Sequence, residues 1–331
     1  MFFGIPYKTM ALEDEIFGTV ITIMRFHGLW NMELNTNRFK LLKVVAFYGS
    51  SYGIVAGCLL HLFFGEHDND IMDISNDILY TIMGAFYLYV FLVFLSKIEA
   101  FFQYVDEIKT NWEFGVPKAI HGLNKKHDLY AKSIYCMTFF SVIGLAVFVH
   151  FGKPYCERKN ELYGTHNTCG LLGPFFIPGF NTDDYQLLIL GCQLYSVLLT
   201  TPTITTCSYF GAAMVDVITL KLAHLNEHIE DVSDCSTYHE QRNKLTFCVK
   251  YHNHIMGLHR QLLDCTETIS SVHFMLSALI IGIIIYQLYI DINVFTICQV
   301  CGWFGIIILL SLSGQALVNE VYLVLKLFLC F

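Results

Sequence analysis

Along this chain the apolar positions gather into long blocks separated by polar segments. Six blocks are long enough to cross a bilayer, which takes about 20 predominantly apolar residues in helical form. They run over about 41–64, 71–95, 130–151, 185–220, 268–290 and 294–313. Hydrocarbon offers no partner for a backbone N–H or C=O, so blocks of this length are helices. The fourth is longer than the membrane needs and is expected to project beyond it. The stretch 321–331 is apolar but too short to span. The predicted fold class is all-α: a polytopic transmembrane helical bundle with cytoplasmic helical extensions, forming one domain over residues 1–331.

The polar segments differ from one another. In 222–265, Leu222, Leu225, His228 and Ile229 continue the period of the fourth block, and Leu245, Val249, His252 and Met256 repeat at helical spacing. This segment reads as helices that prolong the fourth and fifth spans. The segment 152–184 is rich in Gly, Asn and Pro and reads as irregular. No internal repeat or low-complexity tract is present.

Charge sets the orientation, because Lys and Arg concentrate in cytoplasmic loops. Lys8, Arg25, Arg38 and Lys40 precede the first span. Lys97, Lys109, Lys118, Lys125 and Lys126 follow the second, and Lys221, Arg242, Lys244, Lys250 and Arg260 follow the fourth. The alternate connections are poor in both, with Lys153, Arg158 and Lys159 the exceptions. The N-terminus is therefore expected inside, opposite to a rhodopsin-type receptor. Hydrophobic residues make up 55 % of the 331 and charged residues 15 %, with a net charge of −8. Soluble domains carry about 25 % charged residues. An acidic chain without a basic tract is not a nucleic-acid binder.

Little in the sequence carries covalent chemistry. No Gly-x-Ser-x-Gly, Walker or dinucleotide motif occurs, so no enzyme and no cofactor are expected. Cys156 and Cys169 fall in the outer segment, where an oxidising compartment makes a disulfide plausible beside two free thiols. Cys298 and Cys301 form a C-x-x-C inside the sixth block and read as packing. His224 and His228 are four apart, but no Glu follows the first, and no metal site is expected. Asp73, Asn76 and Asp77 open the second block near the interface and read as a helix start rather than a cation-attracting rim.

The outer halves of the spans hold a candidate ligand pocket. Tyr80, Met83 and Phe86 stand on the second, and Ser141, Gly144 and Phe148 on the third. Leu188, Ile189 and Gln193 stand on the fourth, and Tyr286 and Tyr289 on the fifth. Small, aromatic and isolated polar residues of this kind line apolar small-molecule sites. The same residues also serve ordinary helix packing.

Four segments together resemble the insect odorant receptor family. They are ITIMRFHGLWNMELNTNRFK at 21–40, with Gly28, Leu29 and Trp30, and LKLAHLNEHIED at 220–231. CVKYHNHIMGLHRQLLD at 248–264 and SGQALVNEV at 313–321 complete the set. The resemblance implies a tuning subunit that joins an odorant receptor co-receptor in a hetero-tetrameric, odorant-gated, non-selective cation channel. It implies a small volatile ligand among the outer helix halves, with Ser141, Gly144 and Phe148 as the third-helix wall and Tyr80 facing them. It also implies a subunit anchor containing His224, Tyr251, Leu258 and Gln315, and a plasma-membrane location in dendrites of olfactory sensory neurons. In the family a pore-lining seventh helix follows the GQALVNE element. Here 314–331 is expected to begin that helix without completing it. A gustatory receptor would share the architecture. A transporter would more often show internal repeats and midplane charge, which are not seen.

Overall fold

The computed structural model describes residues 16–27, 30, 49, 52–53, 55–65, 71–110, 112–164, 169–179, 183–290 and 294–329. Several expectations fall outside these residues: the first part of the 41–64 span, Gly28 and Leu29, the 66–70 connection, and the side chain of Asp73. The described elements are helices α1 (Gly18–Phe26), α2 (Val55–Phe64), α3 (Ile71–Ser96), α4 (Ile98–Thr110), α5 (Ile120–Tyr163), α6 (Gln186–Ser233), α7 (Tyr238–Ile290) and α8 (Val294–Leu329). Five of them, α3 and α5 to α8, are long and apolar enough to cross a membrane.

The lengths explain the shape. At 1.5 Å per residue, the 53 residues of α7 run to about 80 Å, against a hydrocarbon core of about 30 Å. α6 and α7 therefore leave the bilayer together and meet at a turn around 234–237. We call this the extended end of the bundle, and the opposite side the loop end. α6 is the central element, packed against α1, α3, α5, α7 and α8.

Two boundaries differ from the sequence reading. The segment after Gly152 is not irregular at first, because α5 continues through Pro154 to Tyr163 and stops at Gly164, whose φ of 64° suits a left-handed cap. Gly152 and Pro154 masked the helix formers Glu157, Arg158, Lys159 and Glu161 that follow them. The break expected between the sixth span and 314–331 is also missing, since α8 is one helix from Val294 to Leu329. No Gly or Pro after Gly314 interrupts it, and the Asn226 amide donates to the Glu320 carboxylate at 2.9 Å, tying that stretch to α6.

The largest core lies toward the extended end, where Phe17, Phe94, Phe101, Tyr104, Phe210 and Tyr251 are all buried. α1 enters it with Val20, Ile21 and Met24, spaced at one helical face. Its cap position, Phe17, supplies no side-chain acceptor. α5 supplies them instead: Phe17 N–H donates to Asn124 at 3.1 Å and Thr19 N–H to Asp128 at 3.2 Å. The first-turn donors of one helix are thus satisfied by the flank of another. Trp30, from the N-terminal signature, packs edge-on to Phe102 at 4.5 Å and to Phe210 at 5.7 Å.

Candidate functional site

Tyr80 and Tyr87 lie seven residues apart on α3, separated by about 10 Å of helical rise. Both are half-buried, on the side of α3 that meets α6 and α8. The Tyr80 hydroxyl meets the amide of Gln299 from α8, and the Tyr87 hydroxyl meets Thr201 from α6. Met83, one turn from each, is half-buried against a cluster that includes Leu79, Phe86, Ile204 and Trp303. The seam between α3, α6 and α8 thus has a neutral polar pair at each end and apolar side chains between. Residues of these kinds line small-molecule sites, which hold a ligand by apolar contact and orient it by one or two hydrogen bonds.

A strap lies over the Tyr80 end of this seam. The segment 169–176 leaves Cys169, which is bonded to Cys156 of α5 with the Cα atoms 5.7 Å apart. Leu171 and Leu172 sink into a cluster with Ala146, Ile189 and Leu190. Gly173 rests on Tyr80: a Cβ there would lie 3.2 Å from the ring. Phe175 then covers Gly57 of α2, where a Cβ would overlap its ring. The Cys58 thiol donates to Pro174 O at 3.1 Å, and Phe176 N–H to Gly57 O at 3.3 Å.

Beside this seam, the loop end holds a buried polar network. His61 and Asp77, 8 % and 0 % exposed in their side chains, approach to 2.7 Å. Gln287 of α7 donates to Ser75 at 3.1 Å and to Asn76 at 3.0 Å. Asn76 and Asp77 do more than start a helix: they join α3 to α2 and α7. An apolar cleft of about 340 Å³ opens between α3 and α7, lined by Ile78, Leu279, Gly282 and Tyr286 among others.

The expected pocket residues divide. Tyr80 and Met83 lie on the face of α3 that meets α6 and α8. Ile189 is buried beneath the strap. Gln193, 1 % exposed, spends its amide on the strap, accepting from Leu172 N–H at 2.8 Å and donating to Gly173 O at 2.9 Å. Ser141, Gly144 and Phe148 are not brought in. They share the outer face of α5, where Phe148 is 61 % exposed and a Cβ on Gly144 would meet nothing within 4 Å. The protein-facing positions are Val142 and Ala146. Lipid is as apolar as the core, so hydrophobicity does not mark which face turns inward. Leu188 and Tyr289 also face outward, and Tyr286 stands on the rim of the α3–α7 cleft. The sequence reading missed Tyr87, Thr201 and Gln299. Gln299, a polar residue deep in an apolar block, carried a signal that was readable.

At the extended end, His224 and Tyr251 hydrogen-bond at 3.2 Å, Leu258 is buried, and Gln315 bonds within α8 to Asn319 at 2.9 Å. Phe114, from the α4–α5 connection, stacks on Tyr251 at 4.8 Å. His224 and His228 touch ring to ring at 4.5 Å inside this aromatic group, and no metal-ligating cluster occurs among the described residues. Burial holds His224 and His254 below the ordinary histidine range. Lys221, 3 % exposed, places its ammonium 4.9 Å from the centre of a Trp112 ring. Burial pushes it down to about 8 against the opposing pull of Glu107. Cys298 and Cys301 are both exposed on α8.

Helices of membrane-spanning length and composition define a multi-pass membrane protein. A profile of the 7tm odorant receptor family matches residues 71–313. The chain belongs to that family, the insect odorant receptors, and is an olfactory receptor rather than an enzyme. Its fold is similar to the insect olfactory receptor OR5 from Machilis hrabei, with a TM-score of 0.70 and 13 % identity, over 92 % of this chain and 80 % of that one. The same receptor in complex with eugenol matches with a TM-score of 0.64 and 16 % identity, over 91 % and 79 %. No curated protein matches the sequence.

Proposed function

We propose that α3, α6 and α8 enclose a slot that is the odorant site, with Tyr80, Met83, Tyr87, Thr201 and Gln299 in contact with a small, mostly apolar volatile. The observation that carries this is the two neutral polar pairs, Tyr80 with Gln299 and Tyr87 with Thr201, set at either end of an apolar stretch of α3. The Machilis receptor, of similar fold, is known in complex with eugenol, which supports the reading. The chain acts as the tuning subunit of an odorant-gated, non-selective cation channel and pairs with a co-receptor in a hetero-tetramer. It resides in the plasma membrane of olfactory neuron dendrites. The extended end and the N-terminus face the cytoplasm. The Lys and Arg distribution supports this, as does the Cys156–Cys169 disulfide at the loop end, in an oxidising compartment. Ligand biases a closed-to-open equilibrium by binding the open state better.

The test is binding of the uncharged fluorophore aminoanthracene to the full chain in lipid nanodiscs. Met83→Trp fills the slot and is expected to weaken binding at least about tenfold, since a well-packed site tolerates little added volume. Unchanged affinity in both Met83→Trp and Thr201→Trp places the site elsewhere. The channel half is tested by co-expression with a co-receptor; no odour-evoked cation current sinks it.

A further inference from the structure

We infer that the strap 169–176 is a lid over the slot, and that Gln193 is the positioning residue that holds it shut. The inference rests on the slot being the odorant site. The strap is fastened to three walls. On α5 it is bonded through Cys156–Cys169. On α2 it is pinned by Cys58 and Gly57. On α6 it is gripped at its centre by Gln193, one side chain bonding two consecutive residues, Leu172 and Gly173. Gly173 sits against Tyr80, where a Cβ would come within 3.2 Å of the ring.

A primary amide suits this task. It presents one acceptor and two donors in a plane, so it accepts from one peptide N–H and donates to the next carbonyl. The bonds are shielded, with Gln193 1 % exposed and Leu172 6 % exposed. Breaking them leaves peptide groups stranded against apolar side chains, which disfavours small excursions of the strap and leaves a cooperative lift as the opening motion. A ligand arriving from the loop end reaches Tyr80 only after that lift. Gln193 thus governs how fast a ligand enters and leaves more than how tightly it sits.

The experiment uses the full chain in nanodiscs and two readouts. Hydrogen exchange of the peptide covering 169–176 reports the lid alone. Stopped-flow binding of aminoanthracene reports passage. In Gln193→Leu, which removes both bonds at nearly constant volume, exchange is expected to speed up about tenfold. Association and dissociation rates are expected to rise together, with a smaller change in Kd. Gln193→Glu keeps the acceptor for Leu172 and loses the donor to Gly173, and is expected to fall between. Dithiothreitol on the unaltered chain opens the α5 fastening without any substitution and is expected to act in the same direction, which covers a variant that fails to fold. Unchanged exchange in both cases overturns the clamp. Faster exchange with unchanged binding rates overturns the lid as a gate. If no form binds the fluorophore, the slot reading fails and the gate with it, and the exchange result alone then says whether Gln193 clamps the strap.

Discussion

Lys221 gives the sharpest test of the packing at the extended end. It is 3 % exposed, and its burial lowers its pKa from 10.5 to about 8. One unit is worth 1.36 kcal/mol, so holding the ammonium in this site costs about 3 kcal/mol. The Trp112 ring, 4.9 Å away, returns about 1–2 kcal/mol as a cation–π contact. The net penalty is about 1–2 kcal/mol at neutral pH. Met has a similar stem and no charge, so Lys221→Met is expected to stabilise the chain by that amount. For a chain this size that is a rise of a few degrees in melting temperature. The sign of the pH dependence follows from linkage. Between about pH 8 and 10.5 the unfolded chain still holds the proton and the folded one has lost it. The unfolded state binds more protons there, so stability rises with pH. Below about 8 both are protonated and the full penalty is present. The assay is thermal unfolding of the purified chain in detergent, with and without Lys221→Met, from pH 7 to 10. The advantage of the variant should be largest at pH 7 and shrink toward pH 10, which isolates Lys221 from other groups titrating in that range. A variant less stable than the parent at pH 7 refutes the reasoning, because the ammonium would then be held by a net favourable interaction.

Two further substitutions probe other joints, beside the tests of the slot and of Gln193. Asp77→Ala removes the acceptor of the buried His61 contact and is expected to lower stability by about 1–3 kcal/mol; a cycle with His61→Ala that shows no coupling would count against the pair. Phe17→Ala removes a fully buried ring set edge-on to Phe210 at 5.4 Å. It is expected to cost about 3–5 kcal/mol locally and to expose α1 to limited proteolysis; an unchanged cleavage pattern shows that α1 does not depend on this contact.

The sequence by itself determined that the chain is a bundle of membrane helices, because backbone groups in lipid must pair within their own segment and only long apolar blocks satisfy this. It also showed that α6 and α7 outrun the bilayer, through the helical period of 222–265. Family membership was legible in short segments such as LKLAHLNEHIED and SGQALVNEV, whose Asn226 and Glu320 prove to bond to each other. Tertiary structure alone decided the rest. Which face of α5 turns toward the bundle was hidden, since lipid and protein interior are equally apolar; Ser141, Gly144 and Phe148 lie on its outer face. The strap was hidden because its grip comes from Gln193, Gly57 and Cys58, residues remote in sequence. The pairing of Tyr80 with Gln299 and of Tyr87 with Thr201 depends on how α3, α6 and α8 are rotated against one another. Helix phase relative to a neighbour depends on side-chain packing between elements, and a single chain of letters does not carry that.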